Sequence, residues 1–133
     1  MVACIRGDLT PDSEISMLEA FNNDLGRVLQ DNFDSYKFIG HYIAGFDLKF
    51  IWQRMVIHGI KPKFKLPFND AAYKGTYFDT MTEWAGYKER VSLDSLCKYL
   101  GVQTPKTELD GSKVWEYVKN GRGDEVIEYC NRS

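Results

Sequence analysis

The chain is short of everything that marks a secreted, membrane-spanning or fibrous protein. Its 133 residues hold three cysteines, Cys4, Cys97 and Cys130, an odd number, far apart and in no CxxC pair. That excludes a disulfide framework and a cysteine-rich zinc module, and it fits a reducing compartment. Four prolines and eleven glycines form no repeat and no low-complexity tract. No apolar run approaches the roughly 20 residues of a membrane span, and the stretch from Met1 to Arg6 is too short for the core of a signal peptide. Neither sign of charge dominates. The 17 Lys plus Arg against 19 Asp plus Glu leave a net charge of −2, which excludes a globally basic nucleic-acid coat but allows a local basic strip. The expectation is a cytoplasmic protein with no membrane segment.

What is present is globular. With 44% hydrophobic and 27% charged residues, the chain suits one domain over residues 1–133 that buries roughly two-thirds of its surface. Residues 2–6 are predicted to form a strand, closed by Gly7-Asp8. Thr10 then caps a helix over 11–31, with Pro11 at the first helical position and Ile15, Leu18, Phe21, Leu25, Val28 and Leu29 at helical spacing. Residues 37–42 read as a buried strand. From Asp47, the residues Leu48, Ile51, Trp52, Met55 and Val56 predict a second amphipathic helix, stopped by Gly59 with Pro62 beyond. Pro62 and Pro67 make 61–68 a loop or edge segment. Tyr77-Phe78 predicts a short strand, and Asp79 caps a helix over 80–86. Ser92 caps another, whose Leu93, Leu96, Cys97 and Leu100 face inward before Gly101. Further helices carry Val114, Trp115 and Val118, and then Val126, Ile127 and Cys130 behind a capping Asp124. The order is that of an α/β fold. Phe33, Tyr36, Trp84, Trp115 and Tyr117 read as core or half-buried packing residues.

The most informative segment is Gly40-His41-Tyr42-Ile43-Ala44-Gly45-Phe46-Asp47. It places a carboxylate where a strand passes through a glycine bend into a helix, and ligands of open α/β sheets bind at the carboxyl ends of strands. An aspartate there can hold a divalent cation, with Phe46 locking the bend into the core. The plain alternative is an N-cap aspartate worth about 1 kcal/mol.

Context separates the two. Ser92 to Gly101, Asp110 to Trp115 and Glu128 to Arg132 follow the Asp47 element in register. From Gly40 onward the chain resembles the DEDD 3′-5′ exonucleases of the ribonuclease H-like superfamily, specifically the predicted exonucleases related to the proofreading domain of family B DNA polymerases. The resemblance implies a ribonuclease H-like three-layer α/β fold. It also implies four acidic residues binding two Mg²⁺ or Mn²⁺ ions that activate a water at a 3′-terminal phosphodiester. Asp47 matches the aspartate of the second motif, a metal ligand, and Tyr129 the tyrosine of the third, which helps orient the attacking water. Tyr42 stands where the second motif shows a substrate-contacting asparagine, and Phe46 is its aromatic neighbour. The third motif ends on an aspartate four residues beyond the tyrosine, where this chain has Ser133.

The first motif, Asp-x-Glu on a central strand, belongs well upstream of Asp47. Asp12-Ser13-Glu14 spells it, but after Pro11 it opens a helix, where acidic residues are ordinary dipole partners. The expectation is that the first-motif strand lies before Met1 in relatives. Asp79 reads as a helix cap, with a supporting role near the cleft as the alternative. Lys61, Lys63 and Lys65, interleaved with Phe64, resemble a strip for single-stranded nucleic acid, cations for phosphate and a ring for stacking. His41, His58 and Cys97 match no zinc-site spacing.

The function these residues imply is metal-dependent exonucleolysis at single-stranded DNA ends, or RNA ends, with little turnover by this chain alone. Two alternatives belong to other classes. One is a catalytically dead nucleic-acid-binding or regulatory module that relies on Lys61, Lys63 and Lys65. The other is an assembly piece, self-associating or completed by a partner chain that donates the missing strand.

Overall fold

Thr10 accepts the Ser13 backbone N–H at 3.2 Å through its hydroxyl, and with Pro11 behind it the chain enters a long helix as the sequence predicts. The computed structural model describes residues 8, 10–30, 36–105, 109 and 111–132. The expected strand over residues 2–6, together with Phe33 and Ser133, lies outside them. The elements are α1 (Pro11–Gln30), β1 (Phe38–Gly40), α2 (Asp47–Ile57), a 3-10 turn at Ala72–Lys74, β2 (Tyr77–Asp79), α3 (Thr80–Ala85), α4 (Leu93–Leu100), α5 (Val114–Lys119) and α6 (Gly123–Arg132). Helices with a small parallel sheet make this a mixed α/β architecture. None of the described helices is long and apolar enough to cross a membrane.

Contacts divide the chain into two compact units, one within Ile5–Arg90 and the other from Val91 on. In the first unit, β1 and β2 pair in parallel with Phe38 opposite Tyr77, Ile39 opposite Phe78 and Gly40 opposite Asp79. A parallel pair needs a crossover, and α2 lies on it. Leu48, Met55 and Leu66 form the buried centre, and Leu18 and Phe21 of α1, Phe38, Ile43, Ile51, Phe64 and Phe68 pack around it. Phe64 meets Phe21 edge-on with centroids 5.9 Å apart and stacks on Phe38 at 6.4 Å.

Two devices hold α1 to the rest of that unit. Asn22, buried, donates to the Lys61 carbonyl at 2.9 Å and accepts the Lys63 N–H at 2.8 Å, so the proline-broken 61–65 segment has these two backbone groups satisfied. Gly26 makes this crossing possible, since a Cβ there would lie 3.0 Å from Lys63 Cβ. Closer to the start of α1, Arg54 Nε donates to Glu14 Oε1 at 2.6 Å, its Nη2 donates to Oε2, and His58 Nε2 lies 2.9 Å from the same oxygen. The bidentate fork ties the first turn of α1 to α2.

Several expectations change. The strand predicted over 37–42 keeps only Phe38–Gly40, because Tyr42 turns the chain with φ near +60°. Asp47 is the first helical residue and Phe46 occupies the cap position. Phe46 does not lock the bend into the core: it is 56% exposed and stacks on Phe50 at 5.7 Å, while Ile43 and Leu48 point inward. In the second unit Ser92 caps α4 as expected, accepting the Ser95 N–H at 3.1 Å. Leu96 and Cys97 are buried there, but Leu100 is exposed. Asp124 lies inside the first turn of α6, one residue past the start of the helix. Trp84 and Trp115, predicted to pack, are 52% and 62% exposed. Cys97 and Cys130 are free thiols.

The Arg54 fork, then the His58 contact, depress the Glu14 pKa from about 4.5 to about 2. A depressed carboxylate pKa adds stability that is complete above the unfolded value and is lost as pH falls through the folded one. Urea unfolding between pH 5 and pH 2, roughly the window these values define, is expected to show wild-type stability falling. Glu14→Gln is expected to be less stable at neutral pH and to show a flatter decline over that window.

Candidate functional site

Gly40 ends β1 where its partner Asp79 ends β2, so both strands deliver their carboxyl ends to the same side of the sheet. The loop that follows β1 is built around Asp79. This side chain is 2% exposed, and its Oδ1 accepts two backbone N–H groups, Tyr42 at 2.8 Å and Met81 at 3.1 Å. The Met81 bond is the N-cap of α3 that the sequence predicts. The Tyr42 bond has no local signature in the sequence, and it does more. A tyrosine at φ near +60° is strained, and a buried carboxylate accepting its amide is what holds it there.

Gly45 completes the arrangement. A Cβ on Gly45 would fall 2.1 Å from Tyr42 Cε2, so only glycine lets the tyrosine ring lie against the loop. On the other side of the bend His41 Nδ1 is 3.0 Å from the Thr80 hydroxyl, which donates to the Gly40 carbonyl at 3.3 Å. The Leu48 N–H then reaches back to the Ile43 carbonyl at 3.0 Å, and α2 begins at Asp47. Desolvation raises the Asp47 pKa, and the negative charge of Asp79 raises it further. A carboxyl in that environment takes up a proton more readily than an isolated aspartate.

A cavity of about 320 Å³ opens beside this loop, lined among others by Tyr42, Tyr77, Asp79, Tyr87, Lys88 and Arg90. The Arg90 guanidinium lies 5.3 Å from the centre of the Tyr42 ring, with its Nη2 3.5 Å from the phenol oxygen. Lys88 Nζ stands 5.4 Å from the centre of the Tyr87 ring. None of these residues was singled out by the sequence motifs except Tyr42 and Asp79. The signal was there in Tyr87-Lys88-Glu89-Arg90, a ring and two cations directly after the glycine that stops α3.

The structure therefore brings Tyr42, Phe46 and Asp47 together on one loop. It does not group the lysine strip with them. Lys63 Nζ donates to Asn23 at 2.6 Å and Lys65 Nζ to Asp70 at 2.7 Å, Lys61 is exposed, and the ring of Phe64 is enclosed by Phe21 and Phe38. Tyr129 is half-buried on α6, in the second unit. Asp12 and Glu14 sit in the first turn of α1, the latter engaged by Arg54 and His58. As ligands for a pair of divalent cations these residues fall short. Asp79 has Oδ1 committed to amides, and no group of three or more His, Cys, Asp or Glu able to hold a metal ion occurs among the described residues.

A family model described as a predicted 3′-5′ exonuclease related to the exonuclease domain of PolB matches residues 8–133. The chain belongs to that family. No curated protein and no solved structure matches it.

Removing the Asp79 carboxylate leaves two amides without their acceptor, one at a helix cap and one at a strained residue. Asp79→Ala is expected to cost about 3 kcal/mol in urea unfolding, and Asp79→Asn, which keeps an acceptor oxygen, about 1 kcal/mol. Equal losses for the two variants would mean that the charge, not the acceptor geometry, matters.

Proposed function

We propose that this member of the predicted 3′-5′ exonuclease family works in the cytoplasm as a ribonuclease H-like, three-layer exonuclease domain. It engages single-stranded DNA at its 3′ end, or RNA in the same way, and Asp47 contributes one carboxylate to the Mg²⁺ or Mn²⁺ ions that phosphodiester hydrolysis by this family would use. Those ions, when bound, supply an activated water and a counter-charge for the leaving oxygen. The observation that carries the reading is the position of Asp47, the first residue of the helix entered from the carboxyl end of β1, in a loop organised by a buried acid.

The residues of this chain have distinct parts in that reading. Asp47 holds a cation from its place at the start of α2, beside the loop that Asp79 organises. The exposed, parallel rings of Phe46 and Phe50 offer a surface for unpaired bases. Tyr129 is the water-orienting hydroxyl the third motif calls for. Because the loop among the described residues supplies one available carboxylate where the family uses four, turnover by the chain alone is slow. The same observation favours a second reading, a module that binds single strands without cutting them.

The test is hydrolysis of a 5′-labelled single strand in Mg²⁺ or Mn²⁺. The expected outcome is stepwise shortening from the 3′ end, far below the roughly 10 s⁻¹ of a typical enzyme, abolished by chelation and reduced at least about tenfold in Asp47→Asn. Shortening that is indifferent to Asp47→Asn contradicts the reading. Strand binding with no hydrolysis at all selects the second one.

A further inference from the structure

Beside the Asp47 loop lies a cavity of which the motifs touch only Tyr42 and Asp79, leaving Tyr87, Lys88 and Arg90 without a role. Its volume of about 320 Å³ is at the small end for ligand pockets, too small for a duplex and suited to one nucleotide unit. Two cations reach it, Lys88 and Arg90. It also holds Tyr87, 86% exposed, with the Lys88 ammonium 5.4 Å from its ring centre, so the ring face away from Lys88 is the one offered to a stacking partner. The Arg90 guanidinium is held over the Tyr42 ring, with Nη2 donating to the phenol oxygen at 3.5 Å, which orients the fork and leaves its other donors to a ligand. The acids lining the cavity, Asp79 and Glu89, differ in what they can do: Asp79 Oδ1 is engaged by two amides, whereas the Glu89 carboxylate can accept from the amino group of a base.

The geometry points to a nucleotide subsite for single-stranded DNA in which Lys88 and Arg90 hold a phosphate and Tyr87 stacks on the base. Arg90 is a binding residue. Tyr42, whose ring lies under that guanidinium and whose backbone Asp79 fixes, is a positioning residue for it. The inference rests on the exonuclease reading only in naming the ligand. The ring and the paired cations are features of the cavity itself, and they recognise the backbone and base of a nucleotide whatever happens at Asp47.

The experiment is fluorescence anisotropy of a labelled short oligodeoxycytidylate, and of an abasic strand of the same length, with the full chain in EDTA over a range of salt. Wild type is expected to bind both strands. The double variant Lys88→Gln with Arg90→Gln should weaken both at least about tenfold, and the log–log salt slope should fall by about 0.7 for each phosphate no longer neutralised. Arg90→Lys alone should keep the wild-type slope, since it keeps the charge. Tyr87→Ala should weaken the oligodeoxycytidylate about tenfold and leave the abasic strand unchanged.

The subsite is refuted if the double variant, melting like wild type, keeps its affinity and slope, or if wild type binds neither strand at low salt. Should the double variant fail to fold, Tyr87→Ala decides alone, and equal loss on the two strands refutes the stacking. Hydrolysis compared between wild type and Asp47→Asn distinguishes the two failures. A wrong subsite leaves Asp47-dependent hydrolysis intact, and a wrong exonuclease reading leaves strand binding dependent on Lys88 and Arg90.

Discussion

The hydrogen bond from the Tyr42 amide to the buried carboxylate of Asp79 is the contact on which the rest of the site depends. It joins the loop after β1 to the end of β2 across 37 residues of sequence. It also offsets the strain of a non-glycine residue at positive φ, typically of order 1–3 kcal/mol. With Tyr42 held there, the ring can lie against Gly45 and beneath Arg90, and the chain can turn to start α2 at Asp47. The same oxygen caps α3, so one carboxylate sets the end of the sheet, the beginning of a helix and the conformation of the loop between them.

The parts of this fold that were legible in the sequence are those decided locally. Thr10-Pro11 announces α1, Gly59 and Gly101 end their helices in the left-handed conformation, and Asp79 and Ser92 cap theirs, because a side chain and a backbone amide two or three residues away need nothing else to find each other. The parts that were not legible are decided at a distance. The early end of β1 follows from Asp79 capturing the Tyr42 amide. The Glu14 contacts with Arg54 and His58 span 40 and 44 residues, so the acidic pair of the first turn reads as a dipole partner in the sequence and turns out to include a tie between helices. Apolar residues at helical spacing misled in the opposite direction: Val28, Val56, Leu100 and Trp115 carry the pattern of core residues yet are exposed, since periodicity says which residues share a face and not whether another element covers it.

For the candidate site the division is similar. Asp47 stood out in the sequence because a glycine bend between strand and helix has a known use, and it lies at the first position of α2. The grouping of Tyr42 with Tyr87, Lys88 and Arg90 was not, because those residues follow no helical or strand period and meet only through tertiary structure. Phe64 shows the converse. Its place between two lysines suggested an exposed ring, but the segment folds back onto α1, where the ring meets Phe21 while Asn22 and Gly26 receive the neighbouring Lys61 and Lys63. Chemically the loop carries one carboxylate, Asp47, and beside it lie the Phe46 and Phe50 rings and the cations Lys88 and Arg90.

All of this requires that the Tyr42 amide be bound to Asp79 in solution, and hydrogen exchange at that amide measures it most directly. The account predicts an amide that exchanges orders of magnitude more slowly than an unstructured one in the wild-type chain and becomes fast in Asp79→Ala, while amides in the middle of α1 stay protected. A Tyr42 amide that already exchanges at the unstructured rate in wild type would contradict it.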